Sequence, residues 1–508
     1  MDRTLFPTPG LERCRPLPVR VLTDGLRAAW RRIPRRGRAL LAAVAFVVAG
    51  PDARGQGAAL TAADLFDDTV LQRLDLRVNS RDWAALRADF RLNTYYPATL
   101  IWRGMTVRDA GIRSRGEGTR NDRKPGLRVD FNRYVTGQRF VGLKAMVLDN
   151  HLQDPSTLRE VLTMKLLAKM GLPAPRESHA EVYVNGQFLG VYAIVEEIDE
   201  DVVDRLWPLP PESATRVAGG TTRGGRVGVA IPRPRPSPGP TTPAPTPPVP
   251  PRPAPPSPSP GPAPDPGPPS RQPAPYLYEF RWAFHWDGSY LGRDFEAYQP
   301  MFEPRTHENA SMVAHYEPIE RLFFELNDAP DEQFVERAGA RLDLDNFLRV
   351  AAVQAYLAEW DGLFGSFGLN NFYMWREAEG GVFRVIPWDA DNTFFRVDYP
   401  LDAEFANHVL ARRALAQPAS RRLFAETVLE AARTAEAPVV QPDGSEASWL
   451  ESEIARRYRL VANRVREDRA TPHSPEAFEE AIGDLLRFAR QRGAFVRAEL
   501  ARLFASAP

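Results

Sequence analysis

Cysteine is nearly absent from this chain of 508 residues. The single one, Cys14, stands ahead of the segment that reads as folded, which excludes disulfides and cysteine-based zinc sites. Histidine is scarce too, with seven residues and no HExxH-type pair, so any metal is expected on oxygen ligands. Neither sign of charge is in excess. The 65 Lys plus Arg balance the 65 Asp plus Glu, which removes the electrostatic footprint of nucleic-acid binding. A GxSxG nucleophile elbow is missing, and carboxylate pairs in a sequence do not establish glycosidase geometry, so a hydrolase is disfavoured. The apolar run at residues 39–50, ALLAAVAFVVAG, falls short of the ~20 residues an ordinary membrane helix needs.

That run follows Arg31, Arg32, Arg35, Arg36 and Arg38 and precedes small residues through Ala58, the layout of a secretory signal peptide. Residues 1–58 therefore read as signal peptide and N-terminal extension, and the chain as exported: secreted, periplasmic or cell-surface. The long basic region leaves open a downstream start or an uncleaved signal anchor. A buried core helix is the structural alternative. With 43% hydrophobic and 26% charged residues, the remainder has ample material for a core. About half of the 49 prolines lie between Pro208 and Pro275, in runs such as PTTPAPTPPVPPRPAPPSPSPG. Such a composition cannot bury a core and is expected to be a disordered insertion, a spacer rather than a ligand for a proline-recognising domain.

The first half is rich in hairpin signals. PATLIWRG and MTVRDAGIRSRG read as two strands around Arg103-Gly104, GLRVDFN as a third, and HAEVYVNGQFLGVYAIVEEI as a hairpin around Asn185-Gly186. A helix is expected from Ser156 as N-cap, through Glu160, to Lys169, stopping at Gly171. After the insertion YLYEFRWAF resumes strand character, and EPIERLFFELN and LDNFLRVAAVQAYLAEW read as helices. NNFYMWREAEGGVFRVIPW reads as a hairpin, and from about Ala403 the pattern is almost wholly helical.

Two acids one position apart close residues 382–395, VFRVIPWDADNTFF. A β-branched and aromatic run ends in Asp389 and Asp391, between Trp388 and Phe394. Strand ends hold side chains over a cleft on a fixed backbone, and paired carboxylates suit Mg²⁺ or Mn²⁺, although acids there also form turns and caps. Upstream residues supply the other parts of a phosphoryl-transfer site in chain order. In residues 113–120, RSRGEGTR, Gly116 and Gly118 allow close backbone approach to phosphates, while Arg113, Arg115 or Arg120 neutralises charge. Lys124 precedes the strand GLRVDFN, and Glu160 on the next helix could pair with it. Residues 195–198, VEEI, with Glu197, fall where an adenine-binding hinge is expected. Asp361 follows the helix ending at Trp360, and Asn370 and Asn371 precede the strand FYMW. Each has an ordinary reading as well: a solvated turn, a surface Glu, an Asp-Gly turn capped by Asn371. Their shared order supports the joint reading.

RSRGEGTR, KPGLRVDFNRYVTGQRFVGLKAMVLDN, DPSTLREVLTMKLLAKMGLPAPRESHAEVYVNGQFLGVYAIVEEID, WDGLFGSFGLNNFYMW and VIPWDADNTF together resemble the CotH-type spore-coat kinases, atypical relatives of the protein-kinase fold. The resemblance covers roughly residues 65–505, interrupted by the proline-rich stretch. It implies an α+β, two-lobed atypical protein-kinase-like fold. A hairpin-rich N-lobe would span 65–207, the disordered insertion 208–275, and a mostly helical C-lobe 276–508. It further implies a secreted or surface-associated enzyme that uses ATP with Mg²⁺ or Mn²⁺ to phosphorylate Ser or Thr of extracellular proteins. On that reading Asp361 orients the acceptor hydroxyl, Asp389 binds metal with Asn371 as second ligand, and Asp391 rivals Asp389. Lys124 and Glu160 would form a phosphate-contacting ion pair.

The chain departs from the pattern in places. Asp361 and Asn371 are ten positions apart, against about five in an HRDxxxxN loop, and there is no HRD. Asn392 and Phe395 stand where many relatives carry Gly. A non-catalytic surface or assembly protein on the same fold is the competing expectation, and the presence of the metal-ligand residues favours the kinase.

Overall fold

Turn chemistry organises the first half. The computed structural model describes residues 59–209, 273–378 and 380–504; the apolar run at 39–50 and nearly all of the proline-rich stretch lie outside them. Strands β1 (Gln72–Val78), β2 (Tyr96–Trp102), β3 (Met105–Arg115), β4 (Gly126–Asp130), β5 (Ala145–Asp149), β6 (Glu177–Val184) and β7 (Gln187–Glu196) form a closed barrel in the order β1-β2-β3-β4-β5-β7-β6. The two expected hairpins are there. Arg103 and Gly104 have φ of 47° and 83°, and Asn185 and Gly186 have 52° and 82°, the double positive φ of a type I′ turn. Asn185 also helps close the barrel, its Oδ1 accepting from the Val78 N–H (2.9 Å) where β1 runs parallel to β6.

Helix α1 (Arg159–Lys169) begins two residues later than the sequence suggested, with Leu158 rather than Ser156 at the N-cap position. Asp154 takes the capping role, accepting from the backbone N–H of Ser156 and Arg159, so Ser156 sits in a turn ahead of the helix. After the proline-rich stretch the chain forms strands β8 (Tyr276–Phe280), β9 (Phe302–Pro304), β10 (Phe372–Arg376) and β11 (Arg384–Pro387), a four-stranded sheet in the order β11-β10-β8-β9. The late hairpin is thus two strands of a larger sheet. Helices α2 (Met312–Asp328), α3 (Leu344–Tyr356), α4 (Pro418–Glu436), α5 (Trp449–Glu467) and α6 (Pro475–Phe504) carry most of the rest. A small hairpin, Pro438–Val440 with Glu446–Ser448, interrupts the otherwise helical C-terminal region.

Two apolar clusters join the barrel to the sheet and helices beyond it. Val147, Val161 and Val195 pack with Leu277, Tyr373, Ile386 and Trp388, seating the four-stranded sheet on the barrel. Leu162, Leu166 and Val191 pack with Val353, Val428, Ile454 and Phe488 of the helices. Each such fully buried aliphatic side chain contributes roughly 1.5–3 kcal/mol. Arg492 of α6 is fully buried and donates to the carbonyls of Ala355 and Tyr356 at the end of α3 and to those of Val397 and Tyr399. It supplies the partners that a helix C-terminus lacks, and so fixes the loop that starts after α3. The architecture is α+β, a barrel followed by a largely helical region.

Candidate active site

The register of β10 on β11 assembles the acidic corner. Phe372 stands opposite Pro387, so Asn371 and Trp388 flank the open end of the pair, and the Trp388 N–H donates to the Asn371 carbonyl (3.0 Å). Asn371 and Asp389 both adopt left-handed backbone, with φ of 57° and 54°. That conformation is uncommon outside glycine and is tolerated best by Asn and Asp. The turn throws both side chains toward the loop after α3, where Asp361 lies. That loop is tight: a Cβ on Gly365 would fall 2.8 Å from the Asp361 Cα and from the Trp360 carbonyl oxygen.

Three amides converge on Asp361. Asn370 Nδ2 donates to Oδ1 (2.9 Å), and Asn371 and Asn392 Nδ2 reach Oδ2 (3.4 Å each), with Asn371 also bonding the Asp361 carbonyl (2.8 Å). Burial raises the Asp361 carboxyl above its ordinary value, opposed by the Asn370 and Asn371 bonds. Asp389 is pushed up to about 6, first by burial and then by Asp149. Asp391 lies deeper and is pushed well up by burial and by Asp389. Its Oδ1 has no hydrogen-bond partner.

These residues face a cavity of about 370 Å³ between barrel and sheet. Asp361, Asn371, Asp389 and Asn392 form one wall, and Arg113, Arg115, Gly116, Gly118 and Arg120 line it from the barrel side. The Arg115 guanidinium lies 4.9 Å above the Trp388 ring, which ties β3 to the acidic corner. Arg120 donates to the Gly116 carbonyl and to carbonyls of residues 90–92, so it braces the loop from within. Glu197 also lines the cavity, held by Arg128 (2.7 Å) and Arg305 (3.0 Å). Burial would raise its carboxyl, but the two guanidinium groups leave it below the ordinary value.

Lys124 and Glu160 are not brought together as expected. Lys124 is buried against Asp468, its Nζ 2.7 Å from Oδ2, and neither it nor Glu160 lines the cavity. Burial lowers the Lys124 pKa against the pull of Asp468. Glu160 is buried among acids: desolvation raises its carboxyl well up, followed by Glu177, Asp149, Asp389 and Asp391. Gly190, with φ of 143°, leaves room for the Lys124–Asp468 pair; a Cβ there would lie 2.4 Å from Asp468 Oδ2. Sequence reasoning missed Arg128, Arg305 and Glu279 in the cavity, and the contact from Asn392 to Asp361. Only Arg128 carried a signal, as a charge inside the apolar strand GLRVDFN.

The residues fit a hard divalent cation. An orphaned buried carboxylate oxygen and carboxyls held above their ordinary value by burial and by neighbouring acids are what such an ion relieves, and the donors are all oxygen. Among the described residues no group of three or more His, Cys, Asp or Glu is placed to hold a metal by itself. A cation bridging substrate phosphates takes only one or two protein carboxylates.

A family model described as CotH kinase protein matches residues 112–213 and 276–496. The chain belongs to that family. The two matched segments bracket the proline-rich stretch and include every cavity residue named above. The chain is also similar to the inner spore coat protein H of Bacillus subtilis (strain 168), 20% identical over 331 residues, covering 63% of this chain and 68% of that protein. No helix among the described residues is long and apolar enough to cross a membrane.

Proposed function

We propose that this CotH-family chain is an exported atypical protein kinase that transfers the γ-phosphoryl group of ATP to Ser or Thr of extracellular or envelope proteins. The observation that carries the reading is the convergence of Asp361, Asn371 and Asp389 on one cavity, opposite Arg113 and Arg115 at the end of β3 and the loop that Arg120 braces. Phosphoryl transfer needs positioning and charge neutralisation more than a covalent nucleophile, and those groups supply both. Asp361, fixed by its amides and with a raised pKa, accepts the proton of the acceptor hydroxyl as that oxygen bonds the γ-phosphorus. The bond to the bridging oxygen breaks and ADP leaves with its electron pair. Arg115 and the Gly116–Gly118 backbone face the phosphates, and Glu197 lies at the hinge side of the cavity. Asp389 and Asn371, with Asp391 behind, would hold Mg²⁺ or Mn²⁺, which neutralises phosphate charge when bound.

Transfer of labelled phosphate from ATP to the chain itself and to casein-like acceptors, with each metal supplied separately, tests the reading. Asp361→Asn is expected to lower transfer by roughly 10²–10⁴-fold, and Asp389→Ala to abolish it. No labelling by the parent chain under either metal would rule out the enzyme, and equal labelling by Asp389→Ala would rule out the site. One observation favours a non-catalytic assembly protein instead: Lys124 is committed to Asp468 rather than to a phosphate site. The same labelling decides between the two.

A further inference from the structure

A row of aromatic rings crosses the mouth of the cavity and takes no part in the roles above. Trp282 and Phe367 lie on its wall with ring centroids 6.4 Å apart. Trp360, next to Asp361, is 5.5 Å from Phe367; Phe395 is 6.2 Å from Trp360, and Tyr399 is 5.7 Å from Phe395. Trp282, Phe367 and Phe395 are 44, 46 and 51% exposed. Large apolar side chains left open side by side mark a binding surface. The Trp282 indole N–H donates to the Phe367 carbonyl (3.0 Å), which fixes the first ring before anything binds.

We propose that this row docks the acceptor polypeptide as an extended segment, with one large uncharged apolar side chain two positions before its Ser or Thr and another two positions after. The inference rests on the kinase reading, in which Asp361 fixes where the acceptor hydroxyl lies. Trp282 and Phe367 share the cavity wall with Asp361, so a polypeptide whose hydroxyl reaches Asp361 also covers the row. Spacing supports an extended occupant. Every second side chain of such a segment points to one face, ~6.6–6.8 Å apart, and successive rings are 5.5–6.4 Å apart. Trp360 is a middle ring, with Phe367 on one side and Phe395 on the other, which puts apolar contacts both before and after the acceptor. Charge decides their character. Arg281, beside Trp282, is held by Glu117 and Glu303, Arg396 by Asp398 (3.2 Å), and Glu404 accepts from Ser366 and Asn407. A Lys or Glu laid on the rings would therefore lose water without gaining a free partner. Arg396 already engages the Phe395 and Tyr399 rings (5.7 and 5.8 Å), so an incoming cation also meets a like charge there.

Four nine-residue peptides test the docking, each with a central Ser in a Gly background and Leu, Ala, Lys or Glu at both flanking positions two residues away. Fluorescence anisotropy without ATP, on versions with Ala for the Ser, is expected to show the Leu peptide binding roughly tenfold or more tighter than the other three. Phe367→Ser and Phe395→Ser are each expected to erase that preference without moving the melting temperature. Phe395→Tyr, which keeps a ring, is expected to retain it, as is Val440→Ser on the small hairpin. Equal affinities, a preference for Lys or Glu, or a Leu preference undiminished by both serines would overturn the proposal. So would loss of self-association or of vesicle binding in Phe395→Ser with peptide affinity unchanged, which would assign the row to a second copy or to lipid. Labelling by ATP is scored separately on the Ser peptides. Selective binding without labelling would sink the kinase reading and leave the docking surface standing, and equal labelling of all four with equal affinities would do the reverse.

Discussion

Around Asp361 the residues trade stability for position. Glu359 is buried beside it, with Oε1 accepting from the Asp361 N–H (3.0 Å) and Oε2 unpartnered. Its carboxyl is pushed up to about 8, chiefly by burial and further by the charges of Asp361 and Asp389. An unfolded chain releases this proton near the ordinary value of 4.5. The folded state therefore binds more protons between pH 4.5 and about 8, and stability falls as pH rises through that window. Glu359→Gln keeps the acceptor and removes the charge. It is expected to be more stable than the parent at pH 8–9 by on the order of 1–3 kcal/mol, with a flatter pH dependence of the urea midpoint. Identical pH profiles would refute this account. Much of this corner was legible beforehand, because acids at a strand end and paired Asn at a loop end are local signals. The contact from Asn392 to Asp361 was not, since it depends on how the β10–β11 hairpin packs on the loop after α3.

At the level of elements, what local chemistry dictates was readable and what docking dictates was not. Arg103-Gly104 and Asn185-Gly186 announced their hairpins because a type I′ turn demands those residue types. Closure of the barrel by parallel pairing of β1 with β6 left no local mark, and neither did the partner of Lys124. Lys124 before β4 meets Asp468 in the loop between α5 and α6, so this buried pair fastens the barrel to the helices. Removing one member leaves an uncompensated buried charge: Lys124→Met is expected to cost about 3–5 kcal/mol. Asp468→Asn keeps the Oδ1 acceptor for the N–H groups of Ala470 and Thr471 and gives up the one for Val191, so adding it to Lys124→Met is expected to restore about half of the loss. A double-mutant cycle in urea measures both. Additive losses would show that the pair is not what joins the two elements.

At the scale of the whole molecule, the proline-rich stretch interrupts the chain without separating its structure. Trp207 packs at a tilt against Trp375 with centroids 4.9 Å apart, and Trp375 stands opposite Leu277 of β8. The chain thus leaves and re-enters at neighbouring points, and the described residues on both sides belong to one compact unit. Composition alone marked where the interruption lies, but not that its ends meet, because Trp207 and Trp375 are brought together only by the packing of the sheet on the barrel. Replacing residues 210–272 with about ten Gly and Ser residues shortens a loop whose ends are already adjacent. Loop-closure entropy then favours the short form by only ~1.5 kcal/mol. The shortened chain is expected to keep its circular dichroism and to unfold cooperatively within ~2 kcal/mol of the parent in urea. A loss beyond ~3 kcal/mol would mean that the stretch is part of the core, because a surface connection has few contacts to give up.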